Sequence, residues 1–409
     1  LVLGAGVIGV TSAYALHRAG HEVVLVERNA TPGQETSWGN GGIIHTSEAG
    51  PWSEPGAWRE VLRSIGREDA PLLLRSKALP SLWRWGPAFL RECAPARFRR
   101  NLHANLTLAV ESVAALERIR AETGITHDEV TRGTLEVCHD QKTLDHLVHK
   151  LQPLAEHGLR FRVLDRAAAT ALEPALASAS QDVVGAVHFH ADQSGCCETF
   201  TRRVADWLVE RGVELQGGTT VRRLLVEEGR IVGADTDRGV LRADAVVVAL
   251  GPWSRPLLRT VGVEVPIYPV KGVSITMDRS PWPDGPTMTV LDHGWFFALT
   301  PLGDRLRVAG SAEFTGGFDA TPAPGRIRAI LDRAVHVFPA LRACAEAPGR
   351  RDWAGFRPIV PSGVPLVGIE PRPGLWLNVG HGHLGWTLAC GSAERLARAI
   401  GGHNAARTA

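Results

Sequence analysis

Gly4-Ala5-Gly6-Val7-Ile8-Gly9 stands between an apolar run, Leu1–Leu3, and a stretch in which Val10, Ala13 and Leu16 recur at helical spacing. A second apolar run, His21–Glu27, follows the helix. The segment therefore reads as one βαβ unit with parallel strands. Gly4 permits the tight turn, Gly6 lets a pyrophosphate approach the backbone at the helix N-terminus, and Gly9 lets helix and strand pack closely. Ala5, Val7 and Ile8 complete the same turn. Glu27 ends the second strand about 20 residues on, where a carboxylate accepts hydrogen bonds from a ribose hydroxyl and repels a 2′-phosphate. The motif thus admits FAD or NAD and disfavours NADP.

Three further stretches bear on that choice. Glu35-Thr36-Ser37-Trp38-Gly39-Asn40-Gly41-Gly42 gathers hydroxyls, a carboxamide and bare backbone just past Glu27. Such a loop suits a second contact with phosphates and a flavin edge, or is an ordinary Gly/Asn loop. Ala243–Ser254 is a buried strand running into a turn at Gly251, with Trp253 behind it. Gly380-His381-Gly382-His383-Leu384-Gly385-Trp386-Thr387 precedes the last helix, whose N–H groups would face an anionic group such as a reduced flavin. A nicotinamide dehydrogenase needs no return of the far C-terminal part to the first βαβ unit. A two-domain FAD enzyme does.

The chain has 409 residues, 44% of them hydrophobic, and a net charge of +2. This is globular composition with length for two or three domain units, and it lacks the basic stripe of a nucleic-acid binder. Six Cys form no C-x-x-C pair and no zinc spacing with His, as expected of free thiols in a reducing compartment. The vicinal Cys196–Cys197 reads as two small buried residues rather than a redox pair. No metal site is expected. No run is long and apolar enough for a membrane span. No signal peptide precedes the first strand, and the opening at Leu1, inside that strand, reads as a chain lacking a few N-terminal residues. The expected location is cytoplasmic. Pro71–Arg100 reads as helical, with Leu72, Leu73, Leu74, Trp83, Trp85, Phe89, Leu90 and Phe98 among many Arg. It is expected to pack on its own domain; the alternative is peripheral contact with the inner face of a membrane.

Along the chain, helices are expected at Asn105–Thr123, Asp140–His157, Thr199–Arg211, Gly325–Val337 and from about Thr387 to Ile400. Strands are expected at Gly133–Cys138, Gly185–His190, Val213–Gln216, Val221–Glu227, Arg230–Asp235, Ala245–Leu250, Val273–Met277, Trp295–Leu299, Leu306–Ala309 and Leu375–Val379. The fold class is α/β, α+β overall: a Rossmann-like cofactor domain with a mixed, largely antiparallel sheet-plus-helix substrate domain, each built from separated pieces.

The sequence resembles the FAD-dependent D-amino-acid oxidase superfamily and, within it, the bacterial D-amino-acid dehydrogenases. The resemblance is carried by Gly4–Gly9, Thr36-Ser37 with Asn40-Gly41-Gly42, Pro51-Trp52, Pro55-Gly56, and Gly133-Thr134-Leu135. It continues through Glu173-Pro174-Ala175-Leu176, Asp192 with Gly195, Tyr268–Gly272, Trp353–Pro358 and Gly380–Gly391. It implies an FAD domain from residues 1–50, 193–261 and 347–409, and a substrate domain from 51–192 and 262–346. It also implies FAD contacts at Gly4–Gly9, Glu27, Arg28, Thr36, Ser37, Asn40, Gly41, Gly42, Val221, Gly251, Trp253, Gly382, His383, Leu384, Gly385 and Thr387.

Arg357, in the Gly-x-Arg-Pro motif, is the expected grip for a substrate carboxylate, since a guanidinium pairs with it bidentately. Where the family often has a Tyr as a second contact, this chain has Trp295, and its only tyrosines are Tyr14 and Tyr268. Arg307 is expected near the flavin, and His381 and His383 beside the ring. His45-Thr46-Ser47-Glu48 is more polar than a D-alanine enzyme calls for, which leaves open a cyclic substrate such as a hydroxyproline or a cationic one facing Glu48. The expected reaction is oxidative deamination of a D-amino acid to a 2-oxo acid and ammonia by hydride transfer from Cα to the flavin. Electrons would pass to a quinone or respiratory acceptor. The alternatives are an oxygen-using oxidase of glycine, sarcosine, hydroxyproline or another secondary amine, and a non-catalytic FAD-binding subunit.

Overall fold

The structure, a computed structural model, describes residues 1–68, 70–155, 159–180 and 182–408. The first βαβ unit forms as its sequence dictates. Strands Val2–Leu3 and Val24–Val26 pair in parallel, joined by the helix Val7–Arg18. Around them a six-stranded sheet runs in the order Leu366–Arg372, Leu375–Val379, Val246–Val248, Val2–Leu3, Val24–Val26, Glu214–Gln216. All its pairs are parallel except the first, which is antiparallel. Both faces are covered, which is why the inner strands Val2–Leu3, Val24–Val26 and Val246–Val248 are apolar throughout rather than alternating. Val2, Leu25 and Val247 pack with the helices Val7–Arg18, Cys197–Val209 and Gly385–Thr408. Leu3, Val26, Val246 and Val248 point the other way, onto Leu224, Ile231 and Ala234 of a three-stranded meander, residues 221–242.

The second sheet has nine strands. Its main path is Arg351–Ile359, Tyr268–Asp278, Arg305–Phe314, Phe297–Leu302, Thr289–Asp292, Thr134–Cys138, Gly185–Phe189, Phe161–Asp165. Leu72–Leu74 pairs in parallel with Arg305–Phe314, and Thr289–Asp292 in parallel with Thr134–Cys138; the other pairs are antiparallel. The helix Pro324–Val337 seals one face, burying Ile327, Ile330 and Ala334 against Ile275, Leu299 and Val308.

Three expectations are corrected. Pro71–Arg100 is not one helix: Leu72–Leu74 is a strand, Ser76–Leu82 a 3-10 turn around Pro80, and Trp85–Glu92 a short helix. The Leu triplet was read as part of a helical face, but the end of Arg305–Phe314 that runs past Phe297–Leu302 takes it as a strand. Leu73, Leu74, Trp85 and Phe89 are buried, whereas Trp83 is 67% and Leu90 53% exposed. The helix expected at Asn105–Thr123 begins at Pro95 and ends at Gly124 in the left-handed region. It crosses to the first sheet, burying Ala115, Leu116 and Ile119 there. Finally Arg351–Ile359, expected with the 347–409 piece, hydrogen-bonds into the second sheet. The helix expected at Asp140–His157 spans Gln141–Ala155; residues 156–157 lie outside the described residues. All six Cys are buried with free thiols, the vicinal pair included.

Candidate active site

At the edge of the first sheet the glycine turn leaves no room for side chains. Gly4 has φ +98°, and a Cβ there would lie 2.8 Å from the Ala249 carbonyl oxygen. A Cβ on Gly9 would lie 1.7 Å from the Gly4 oxygen. The close helix–strand approach therefore requires glycine at both positions. Glu27 is buried, its Oε2 accepting from the Ala5 N–H at 2.8 Å and its Oε1 from Asn29. Ser37 Oγ accepts from the Val7 N–H at 2.9 Å, tying the loop after Glu27 to the helix N-terminus. Arg28 lies over the Trp253 ring at 4.4 Å.

From this turn a single cavity of about 1690 Å³ runs between the two sheets. Gly4, Gly6, Val7, Ile8, Glu27, Arg28, Val221, Gly251 and Trp253 line one end. Thr36, Ser37, Asn40, Gly41, Gly42, Gly382, His383 and Gly385 line the middle. The Asn40–Gly42 turn is braced from behind. Asn40 Oδ1 accepts from the Gly42 N–H at 2.9 Å, Thr300 donates to the Gly41 carbonyl, and Arg307 donates to the Asn40 carbonyl.

Beyond the middle lies Arg357. One of its N–H groups donates to the Ser311 carbonyl at 2.8 Å, and the guanidinium lies 5.7 Å from the Trp52 ring centre. Among the described residues no carboxylate pairs with it. Burial pushes the guanidinium down to about 10, so it stays charged at neutral pH. Trp52 also stacks on His383, with ring centres 5.2 Å apart. Burial holds His381 and His383 at about 3, so both are neutral at neutral pH.

Several expected contacts are displaced. Trp295 does not line the cavity. It packs between His139 and His336 on the core side, while Phe296, with φ +56°, and Phe297 face the cavity. Arg307 is also absent from the lining. It is 1% exposed behind the Asn40 turn, donating to Thr276 and Asn40, and acts as a brace. Ala5, Gly9, Leu384 and Thr387 sit just behind the wall: Ala5 is held by Glu27, Leu384 is buried, and Thr387 Oγ accepts from the His45 N–H at 3.2 Å.

Sequence reading missed Ser311 and Gly272, which position Arg357, and Glu136, His293 and Lys150 at the far end of the cavity. It also missed Asp192 as a loop anchor. That buried carboxylate accepts from the Thr46 and Ser47 N–H groups and from Thr134, fixing the polar loop expected over the site.

The volume exceeds the roughly 300–1,000 Å³ of an ordinary small-ligand pocket and suits a dinucleotide together with a small substrate. Buried polar atoms of lining residues, Trp253 Nε1, Asn378 Oδ1, Trp386 Nε1 and His45 Nδ1, have no protein partner. Such atoms at a cavity wall offer partners to ligand groups. The cavity therefore fits FAD.

Residues 1–399 match the model of the family described as DAO, FAD dependent oxidoreductase. A protein named D-amino acid dehydrogenase from Paramagnetospirillum magneticum is 40% identical over 407 residues, covering 99% of this chain and 96% of its own length. One of the same name from Cereibacter sphaeroides is 42% identical over 402 residues, covering 98% and 91%. Among solved structures, glycine oxidase from Bacillus cereus superposes with a TM-score of 0.73 at 23% identity, covering 98% of this chain and 94% of that one. L-proline dehydrogenase from P. horikoshii gives 0.73 at 20% identity, covering 98% and 92%. These two likenesses speak to the fold alone.

Proposed function

Because the chain belongs to the DAO family of FAD-dependent oxidoreductases, we propose that it oxidises D-amino acids to 2-oxo acids and ammonia. The observation that carries the reading is the Arg357 guanidinium, charged, without a carboxylate partner, and facing the cavity past the glycine turn. Its remaining donors take the substrate carboxylate and thereby fix which Cα bond lies toward the cofactor.

Gly4–Gly9 would hold the pyrophosphate at the helix N-terminus and Glu27 the ribose. Arg28 and Trp253 would border the adenine end. Asn40–Gly42 and Gly382–Gly385 would border the flavin. Bound there, FAD supplies the acceptor for the hydride lost from Cα. The neutral His381 and His383 leave the substrate amine to lose its proton to water, so these residues orient and exclude rather than act as a charged acid. Trp52 and Phe296 close the apolar walls. The imine product would leave and hydrolyse in water. The division into an FAD unit and a substrate unit follows the two sheets, with the strand bearing Arg357 belonging to the second.

The relatives' shared name, dehydrogenase, supports an electron acceptor other than oxygen, and we propose a quinone or another respiratory acceptor. No helix among the described residues is long and apolar enough to cross a membrane. Peripheral contact with the inner face of a membrane fits Leu79, Trp83 and Leu90, exposed beside Arg84 and Arg91.

The test is an anaerobic screen of D- and L-amino acids against the FAD-loaded protein. Bleaching of the flavin band by D-isomers alone is expected, with slow recovery in air and fast recovery with a quinone. Bleaching only by L-isomers, glycine or sarcosine overturns the proposal. Fast recovery in air overturns the choice of acceptor.

A further inference from the structure

At the end of the cavity beyond Arg357, five charged side chains gather. His293 bridges two carboxylates, Nε2 to Glu48 at 3.1 Å and Nδ1 to Glu136 at 2.8 Å. Lys150 pairs with Glu54 at 2.9 Å. All five line the cavity. An imidazole can donate from both ring nitrogens only as the imidazolium. The two carboxylates accordingly raise the His293 pKa well above its usual value, and His293 holds the Glu48 carboxyl down to about 2.

The cluster then carries three negative charges, Glu48, Glu54 and Glu136, against two positive ones. The imbalance is localised. Glu136 is 3% exposed, and its Oε2 is buried with no hydrogen-bond partner. An ionised carboxylate oxygen left bare in a cavity wall is costly unless a cation or donor reaches it.

The sheet sets its distance from the carboxylate grip. The Arg357 guanidinium rests on Ser311. Its neighbour Gly310 is opposite Phe297, Phe297 is opposite Asp292, and the adjacent Leu291 is opposite Glu136. Glu136 thus lies three strand spacings from Ser311, about 14 Å at roughly 4.8 Å each, and two residues along the strand direction, about 7 Å at roughly 3.4 Å each. The Arg357 guanidinium marks one end of that span, and the Glu136 side chain takes up part of the other. A long aliphatic chain bridges the remainder; a methyl group does not.

We propose that Glu136, with Glu48 and His293 beside it, forms a subsite for the cationic end of a long substrate side chain, so that the preferred substrates are basic D-amino acids. This rests on the D-amino-acid reading above and names its substrate class. A divalent metal is the poorer occupant, because His293 has both ring nitrogens committed to carboxylates and would have to lose a proton to become a ligand.

The test uses the FAD-loaded protein, with anaerobic flavin reduction by D-arginine, D-lysine, D-norleucine and D-alanine. The wild type should prefer D-arginine or D-lysine to D-norleucine, which has the lysine carbon chain without the ammonium, by about 10–100-fold in kcat/KM, the range of one charge-assisted contact. Glu136→Gln, which keeps an oxygen for His293, and separately Glu48→Gln should bring that ratio toward one. Equal rates for D-lysine and D-norleucine in the wild type overturn the subsite. So does a ratio untouched by both variants, or Zn²⁺ binding, read as a thermal shift, that Glu136→Gln abolishes. If no D-amino acid bleaches the flavin, the underlying reading fails. If D-norleucine and D-alanine bleach it as well as D-lysine does, only the subsite fails.

Discussion

A Cβ placed on Gly272 would come within 2.3 Å of Arg357 NH1 and 2.7 Å of its Cζ. The guanidinium folds back across the neighbouring strand through the gap that this glycine leaves, and so reaches the Ser311 carbonyl. Gly272→Ala should push the head group off Ser311 without touching the glycine turn. KM for the amino acid should rise about tenfold or more, with FAD content unchanged, since a displacement near 1 Å at a positioning group costs on that scale. Steady-state kinetics beside the flavin-to-protein absorbance ratio checks this.

Arg357 itself should separate charge from geometry. Arg357→Ala removes the charge-assisted contact, worth about 1.5–3 kcal/mol, and should raise KM about 10–150-fold. Arg357→Lys keeps the charge but not the planar fork, and should recover less than half of that loss in free energy. A lysine variant indistinguishable from wild type would show that only charge matters.

Glu27 holds the Ala5 N–H inside the turn. Glu27→Ala should leave that buried donor unsatisfied, at a cost of about 1–3 kcal/mol in unfolding free energy. The variant should also release FAD on dilution faster than the wild type. Urea titration of the apo protein reads the first effect and flavin fluorescence the second.

His381 offers a pH test. Burial holds it at about 3 in the folded chain, against an ordinary value of 6.5. Between those values the unfolded chain binds a proton that the folded chain does not, so stability falls as the pH drops from 6.5 toward 3. The slope from this one group is at most about 1.4 kcal/mol per pH unit. His139 and His293, whose values are raised, act in the opposite sense: their contribution is present below 6.5 and lost as the pH rises. Comparing His381→Asn with wild type cancels them. The two should differ in unfolding free energy by a constant above pH 7. Below pH 6.5 the gap should shift in the variant's favour by about 1.4 kcal/mol per unit.

How much of this was legible depended on whether the local chain carried the constraint. Gly4 and Gly9 were readable because the turn itself forbids side chains. The inner first-sheet strands were readable because burial on both faces leaves them apolar, whereas the edge strand Leu366–Arg372, half-exposed and mixed in composition, was not. Arg357 stood out through its motif. Leu72–Leu74 misled because three leucines beside a run of arginines fit a helical face equally well, and only the end of Arg305–Phe314 beyond Phe297–Leu302 decided the matter. Trp295, expected at the site, packs between His139 and His336 instead. Glu136 and His293 were silent. One is a lone acid in a buried strand, the other a lone imidazole after a neighbouring strand, and they meet only because Thr134–Cys138 and Thr289–Asp292 pair in parallel across more than a hundred residues of chain.

The helix Gly385–Thr408 packs on both Val7–Arg18 and Pro95–Thr123, and Leu375–Val379 lies beside Val246–Val248 in the first sheet. A ribosome that has just released the glycine turn has therefore made only one wall of the pocket. The opposing wall, from His381 to Trp386, emerges some 370 residues later. The nascent chain must keep its opening strand and helix protected for nearly the whole of elongation, and it can capture its nucleotide only near the finish. Flavin starvation during expression should therefore trap chains that are fully synthesised yet slow to close, rather than partial products.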